Sequence, residues 1–289
     1  MAILPINEEI LPPSEDYVFK AIMSHPDAKP ALIDLISTVI GRIVSDVQIR
    51  NSELPSGDVD EKNQRLDLNC VIDDGSQIDV EMQGSKLAGI DGGRASFINK
   101  TVYYLSDLHS SQKSKSVKYV DLVRTYQITF SANDVFDRQE YITEASLRTL
   151  NGVTISDQLN IYIIELSKLG DVLKKPIEEM THLEMWSAFI GYAADPTQRK
   201  LINEVLERKE AIGMAGTVLA TISKDEHERA KFLSRRKFET DLMSNMLTAE
   251  AQGELNAKRD VARNMKAEGM SVETISRLTK LSASDIDEL

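Results

Sequence analysis

Two neighbouring stretches decide the fold of this chain: Arg65-Leu-Asp-Leu-Asn-Cys-Val-Ile72 and Gln77-Ile-Asp-Val-Glu-Met-Gln83. In each stretch apolar and polar residues alternate strictly, which is typical of half-buried strands. The polar positions are Arg65, Asp67 and Asn69 in the first stretch and Asp79, Glu81 and Gln83 in the second. We therefore predict two adjacent strands with carboxylates on one face.

The turn Asp73-Asp74-Gly75 sets how these two strands pair. A three-residue hairpin loop commonly ends on a left-handed glycine that forms a bulge, and the glycine of this turn stands at that place. Counting back along both strands then puts Asp67 opposite Glu81, with Cβ atoms about 4.5–5.5 Å apart. A two-residue turn is the alternative, and it would put Asp67 opposite Met82 instead.

Two carboxylates at that distance repel each other unless a cation lies between them. Mg²⁺ suits this position, because proteins hold it through one or two carboxylates together with waters and substrate phosphates. The bulged loop therefore predicts a metal site at Asp67 and Glu81, with Mn²⁺ as the alternative ion. Asp79 is expected at the rim of this site rather than among the ligands.

The order of Asp67, a hairpin and Glu81-Met-Gln83 resembles the PD-(D/E)XK nuclease signature in its E-x-Q form. The surrounding sequence is similar to the Rpn family of recombination-promoting nucleases and transposases. Three further segments carry this resemblance: Ser14 to Met23, with the D-x-x-F-K pattern at Asp16, Phe19 and Lys20; Arg94 with Tyr103 and Tyr104; and Tyr119 to Phe130. Asp16 and Lys20 either touch the site or serve only their own helix.

The resemblance implies a metal-dependent DNA endonuclease in which Asp67 and Glu81 hold the metal and Gln83 positions the attacking water. It also implies a link to DNA recombination, mobile elements or host defence. The third position of the wider superfamily pattern is usually lysine, whereas Gln83 is neutral and cannot act as a base near pH 7. Glu53 is a further acid that could reach the site from the preceding strand.

The succession of sequence patterns predicts an α/β fold. We expect helices from Ser14 and Pro30, a strand near Ile43 to Ile49, the two strands above, a helix over Arg94 to His109, and strands over Lys118 to Phe130 and Asn160 to Leu166. This αβββαβ order is that of a restriction-endonuclease-like core with a mixed sheet, followed by a helical C-terminal region. We expect a nuclease-like domain over 1–170, a helical extension over 171–250 and a small helix-turn-helix-like tail over 251–289.

The net charge of −12, from 34 basic and 46 acidic residues, weighs against a broad DNA-binding surface. Proteins that bind the phosphate backbone usually present a basic face. Lys113 to Lys118 and Lys224 to Lys237 are either local DNA contacts or solvated surfaces. DNA is the predicted partner, and its binding should weaken steeply as salt rises.

Several classes of protein are disfavoured by composition. The single cysteine, Cys70, excludes an internal disulfide framework and fits a reducing cytoplasm, where we expect this protein. The start of the sequence does not read as a signal peptide, and no apolar run reaches the ~18 residues of a membrane span, so no membrane partner is expected. The four histidines are widely scattered, which argues against a zinc site.

Two other functions remain open at this point. The first is a protein-binding or regulatory module that keeps the nuclease fold with weak or no activity and contacts a partner protein, or a second copy as a homodimer, through its helical C-terminal region. The net charge and Gln83 favour this alternative. The second is a glycosidase, whose acids usually stand ~5–9.5 Å apart across a cleft. The low aromatic content of 6% disfavours it, because sugar sites use aromatic platforms.

Overall fold

The computed structural model describes residues 2–50, 68–84, 93–112 and 118–289. The helices and strands of this part of the chain are α1 (Asp16–Met23), α2 (Lys29–Ile40), β1 (Val47–Ile49), β2 (Leu68–Ile72), β3 (Gln77–Gln83), α3 (Gly93–Ser110), β4 (Thr125–Ser131), β5 (Ile142–Arg148), β6 (Thr154–Glu165), α4 (His182–Tyr192), α5 (Arg199–Arg208), α6 (Glu210–Lys224), α7 (Glu226–Ala267), α8 (Val272–Thr279) and α9 (Ala283–Asp287). The order of its first seven elements confirms the predicted α/β, restriction-endonuclease-like core, and the predicted helical region follows.

The strands form one mixed sheet in the order β1-β2-β3-β4-β6-β5. The central strands β3, β4 and β6 run parallel to one another, and the outer pairs are antiparallel. Parallel neighbours need a crossover connection, and α3 supplies the crossover between β3 and β4. The central strands are therefore flanked on both sides, so their polar residues are buried between layers rather than open to water.

The β2–β3 hairpin has the register predicted from the bulged loop. Asn69 lies opposite Asp79, and the amide of Ile72 donates to the carbonyl of Ser76 at 3.1 Å. Gly75 adopts the left-handed conformation with φ +84°, as this loop requires. The two-residue alternative is therefore excluded. Asp67 and Glu53 themselves lie outside the described residues.

The sheet has one apolar and one largely polar face. The apolar face of β3 and β4 packs against α1, as the ring centroids of Phe19 and Phe130 lie 5.9 Å apart. α2, α4, α5 and α6 extend this side of the core. The opposite face is covered by α3, where Phe97 packs with Val135 and Ile163 in a separate small cluster. The candidate site lies between the sheet and α3.

The chain divides into two compact units, Met1–Phe232 and Leu233–Leu289. The boundaries expected at 170 and 250 fall inside these units, and the three-part division stays a prediction. In the second unit, Ala262 of α7 is buried with Ile275, Leu281 and Ile286 of the terminal helices. Ser271 caps α8, and Ser282 with Asp285 forms the expected capping box at α9. Every helix in the described residues is too short or too polar to cross a bilayer.

Candidate active site

A row of polar side chains follows the two central parallel strands. Asp79, Glu81 and Gln83 of β3 lie directly opposite Gln127, Thr129 and Ser131 of β4. Asp79 and Glu81 are 3% and 5% exposed, and the three residues of β4 are fully buried. Burying polar and charged groups is costly unless they are hydrogen-bonded or paired. The row therefore marks a place where the fold keeps polar groups between its layers.

Asp79 is held within the sheet by its neighbour across the strands. The Nε2 of Gln127 donates a hydrogen bond to Oδ2 of Asp79 at 2.8 Å. This bond fixes the carboxylate in the plane of the row and engages one of its oxygens. The position agrees with the rim or supporting role that the sequence predicts for Asp79, and that role stays a prediction.

Glu81 lies at the centre of the row and forms an ion pair with Lys100 of α3. The lysine Nζ contacts Oε1 of the buried carboxylate, and its own side chain is 36% exposed. The Nζ also lies 5.3 Å from the ring centroid of Tyr104, one helical turn further along α3. Lys100 is therefore a partly exposed side chain whose ammonium pairs with a buried carboxylate.

The packing of α3 explains why Lys100 reaches this carboxylate. Phe97, Thr101 and Leu105 are buried at intervals of four residues and form the sheet-facing stripe of the helix. Lys100 is three residues after Phe97, so it stands at the margin of that stripe. Arg94, which opens the same helix, is exposed.

The end of β3 is anchored by the N-terminal helix. Asp16 accepts a hydrogen bond from the amide of Gly84, the residue after Gln83, at 2.9 Å. A Cβ on Gly84 would lie 2.7 Å from the carbonyl oxygen of Ser14. Asp16 thus holds the backbone directly after Gln83, and whether it also touches the site stays a prediction. Lys20 is 1% exposed, within the buried face of α1.

At the end of the polar row lies the carboxylate of Glu165, which has a structural role. Glu165 of β6 lies opposite Ser131 and is fully buried. Its Oε1 accepts from the amides of Val135 and Phe136 at 2.6 and 3.0 Å and pairs with Lys168 at 2.8 Å. These three donors hold Oε1 against the loop after β4, whereas Oε2 is buried without a hydrogen-bond partner among the described residues, so Glu165 is engaged through one oxygen in fixing that loop.

The structure brings Glu81 and Gln83 onto the same face of one strand, as predicted, and Asp67 lies outside the described residues. Lys100 and Gln127 were missed by sequence reasoning. Gln127 alternates with apolar residues along β4 and could have been placed on the polar face. In the chain, 18 residues stand between Glu81 and Lys100, so sequence spacing does not connect them.

The donors at this face are hard oxygen ligands, which suit Mg²⁺ or Mn²⁺ and not a thiol-seeking metal. Glu81 can offer a carboxylate oxygen and Gln83 an amide oxygen. Within the described ranges, no group of three His, Cys, Asp or Glu residues is placed to hold a metal ion. The oxygens of Glu81 and Gln83 fit an ion that is held by few protein ligands and by water, as is usual for Mg²⁺.

The basic stretch Lys224 to Lys237 is partly neutralised by its own surroundings. Lys224 pairs with Glu8, Arg229 with Glu9 and Lys231 with Glu228. Surface pairs of this kind contribute little stability, but they reduce the local positive charge. The first half of the stretch is therefore a weak candidate for DNA contact. Most of the other stretch, 113–117, lies outside the described residues.

The central strands of this mixed sheet carry the buried polar row, and helices flank them in the order described. This arrangement is that of a nuclease-type α/β domain. The family model of PD-(D/E)XK nuclease family transposases matches residues 13–249, and the chain belongs to this family. The match includes the whole sheet, α1 to α6 and part of α7. No curated protein and no solved structure matches the chain.

Proposed function

We propose that this protein is a metal-dependent endonuclease that hydrolyses phosphodiester bonds in DNA, with Asp67, Glu81 and Gln83 as its catalytic residues. One observation carries the proposal: a buried glutamate stands at the centre of a polar row, in a chain of a nuclease family. A buried carboxylate is costly to the fold unless it is paired or coordinates a metal, and Lys100 is a partner that the structure shows for this one. The family description supports a role in DNA transposition or recombination.

The residues of the site divide the work between binding and positioning. A divalent cation, Mg²⁺ or alternatively Mn²⁺, supplies Lewis acidity and a bound water of lowered pKa. Asp67 and Glu81 would hold this ion through their carboxylate oxygens. Gln83 hydrogen-bonds the attacking water or a phosphate oxygen and so sets the direction of attack. The phosphodiester bond breaks by direct hydrolysis, without a covalent intermediate on the protein.

Cleavage of supercoiled plasmid, single-stranded DNA and RNA at low salt tests this proposal. The reactions contain Mg²⁺, Mn²⁺ or EDTA. We expect metal-dependent nicking of DNA that is lost in Asp67→Asn and Glu81→Gln and reduced in Gln83→Ala. Glu144→Gln is the matched control, because Glu144 is an exposed carboxylate on the edge strand β5 of the same sheet.

The second candidate function is a protein-binding module with a weak or inactive nuclease fold. The net charge of −12 favours it, and so do the exposed Leu242, Met246 and Leu247 of α7, which offer an apolar contact to a partner protein or a second copy. Folded protein that cleaves no nucleic acid with any metal would refute the endonuclease and leave this module as the better account.

A further inference from the structure

The ion pair between Lys100 and Glu81 places a positive charge at the centre of the candidate site. Lys100 contacts the central carboxylate of the row, and it comes from α3 rather than from the strand. The third motif position, where the wider superfamily usually has lysine, is the neutral Gln83. The lysine charge of this site therefore comes from Lys100 on α3 and not from the third motif position on β3.

We infer that Lys100 and a divalent cation are alternative partners of Glu81, and that Lys100, once displaced, neutralises the scissile phosphate. This inference rests on the proposed nuclease function and assigns a further residue to it. When the metal ion binds, it replaces the ammonium of Lys100 at the carboxylate of Glu81. The released ammonium stays beside the site, where it can contact substrate.

The competition follows from where the lysine charge lies. The Nζ of Lys100 occupies Oε1 of Glu81, and the glutamate side chain is only 7% exposed. A cation that binds this oxygen must displace the ammonium, because two positive charges at one oxygen repel each other strongly in a poorly solvated site. Removing the lysine charge should therefore make metal binding tighter.

The second role follows from the stem of the lysine and its surroundings. A lysine carries a point charge on a flexible four-carbon stem with three donors, so it can move to a phosphate oxygen nearby. The ring of Tyr104 lies 5.3 Å from Nζ and offers a favourable surface for the cation beside the site. The side chain of Lys100 is thus 36% exposed to solvent, while its Nζ contacts Glu81 of the polar row.

Lys100→Met tests both roles, because it keeps the length and packing of the stem and removes the charge. We expect Mn²⁺ to bind this variant about 10-fold more tightly in calorimetric titration. At saturating Mn²⁺ the nicking rate should fall about 10²-fold, as is typical when a charge-stabilising donor is lost. Lys100→Arg should keep Mn²⁺ affinity near that of the wild type. Lys200→Met, which removes an exposed lysine on α5, is the matched control and should change neither quantity.

Two results would overturn the inference. Mn²⁺ binding that is unchanged or weaker in Lys100→Met would exclude competition at Glu81. A nicking rate at saturating Mn²⁺ equal to that of the wild type would exclude the role toward phosphate. A wild type that binds Mn²⁺ and cleaves nothing would refute the proposed function instead, and the titrations would still decide the competition. If Lys100→Met does not fold by circular dichroism, Lys100→Gln takes its place in both measurements.

Discussion

Gly84 shows how one residue can fix the end of β3, the strand that carries Glu81 and Gln83. A Cβ at this position would lie 2.7 Å from the carbonyl oxygen of Ser14 and 3.1 Å from Oδ1 of Asp16. Both neighbours belong to the segment that leads into α1 and holds the amide of Gly84. We expect Gly84→Ala to lower the free energy of unfolding by about 1–3 kcal/mol, the usual cost of overpacking, in urea titration. It should also slow DNA cleavage, because Gln83 precedes it.

Gly170 provides the matched control for this substitution. It lies in the same compact unit and is not left-handed, and a Cβ added to it would have no neighbouring atom within 4 Å. Gly170→Ala should therefore leave stability unchanged or raise it slightly, since alanine restricts the unfolded chain. Equal stabilities for Gly84→Ala and Gly170→Ala would show that the contact with the α1 segment does not restrain the strand.

The residues of β2 and β3 were predictable because strict alternation and a glycine-containing loop together fix a register. Glu81 and Gln83 therefore stand where the sequence predicts them. Lys100 could not be found in this way, since its contact with Glu81 depends on how α3 crosses the sheet. Helical periodicity predicts which face of α3 carries Lys100. Which residue of the sheet that face contacts is decided only by tertiary packing.

Among the elements, β5 was not predicted, and α6 was predicted only as part of the helical extension over 171–250. β5 is an edge strand whose exposed residues lack an apolar alternation. α6 is rich in small residues and is buried along much of its length. Its Gly213 and Gly216 allow α5 to approach closely, because a Cβ at either would lie 2.7 Å from an atom of Leu206. Glycine in a helix usually lowers helix propensity, so sequence patterns alone do not favour α6.

The strand expected over Lys118 to Phe130 is shorter than predicted. The described strand, β4, begins at Thr125, and Tyr119–Asp121 forms a 3₁₀ turn. Tyr119 and Val120 have high strand propensity, but they are 73% and 87% exposed. Strand propensity is realised on a partly buried pleated surface, and these positions are too exposed for it to decide the backbone.

The contact between α2 and α4 depends on pH through His182. Its Nε2 lies 3.0 Å from Oδ2 of Asp34, which also accepts from the indole of Trp186 at 2.8 Å. Burial lowers the pKa of His182 below its ordinary value of 6.5, although the nearby Asp34 opposes this shift. The unfolded chain therefore takes up this proton at a higher pH than the folded protein does.

The resulting stability contribution is present above pH 6.5 and is lost as the pH falls through the lowered pKa of His182. We expect the Tm of the wild type to fall between pH 7.5 and pH 5, about the range in which histidine titrates. The Tm of His182→Gln should fall less steeply over this range, because glutamine keeps a hydrogen-bond donor for Asp34 and does not titrate. His227→Gln, an exposed substitution, is the control. Parallel curves for His182→Gln and the wild type would contradict this assignment.

At the scale of the whole molecule, the net charge of −12 disfavours a broad surface for the proposed DNA substrate. Much of the Lys224 to Lys231 segment is already paired with acids, so few cations remain there to replace counterions on the phosphates. We expect the nicking rate at subsaturating DNA to fall steeply between about 50 and 200 mM KCl. Mg²⁺ is kept constant in this series. A rate that does not change with KCl would indicate that phosphate contacts do not limit binding.

The division into two compact units also belongs to this scale, and the boundaries expected at 170 and 250 stay predictions. Composition shifts near Gly170, yet the helices α4 to α6 share one hydrophobic core with the sheet. The first unit therefore extends to Phe232, and its boundary lies inside the continuous helix α7. A helix that passes from one unit to the next has no change in periodicity at the boundary, so its sequence gives no signal there.

The central claim is that a divalent cation held at Glu81 makes this chain a DNA nuclease. The most direct test is the initial rate of plasmid nicking as a function of Mg²⁺ concentration, measured for the wild type and Glu81→Gln at equal protein concentration. We expect saturable nicking by the wild type and a rate at least about 10²-fold lower for Glu81→Gln at every Mg²⁺ concentration. Equal rates for the two proteins, or nicking that persists in EDTA, would contradict the claim.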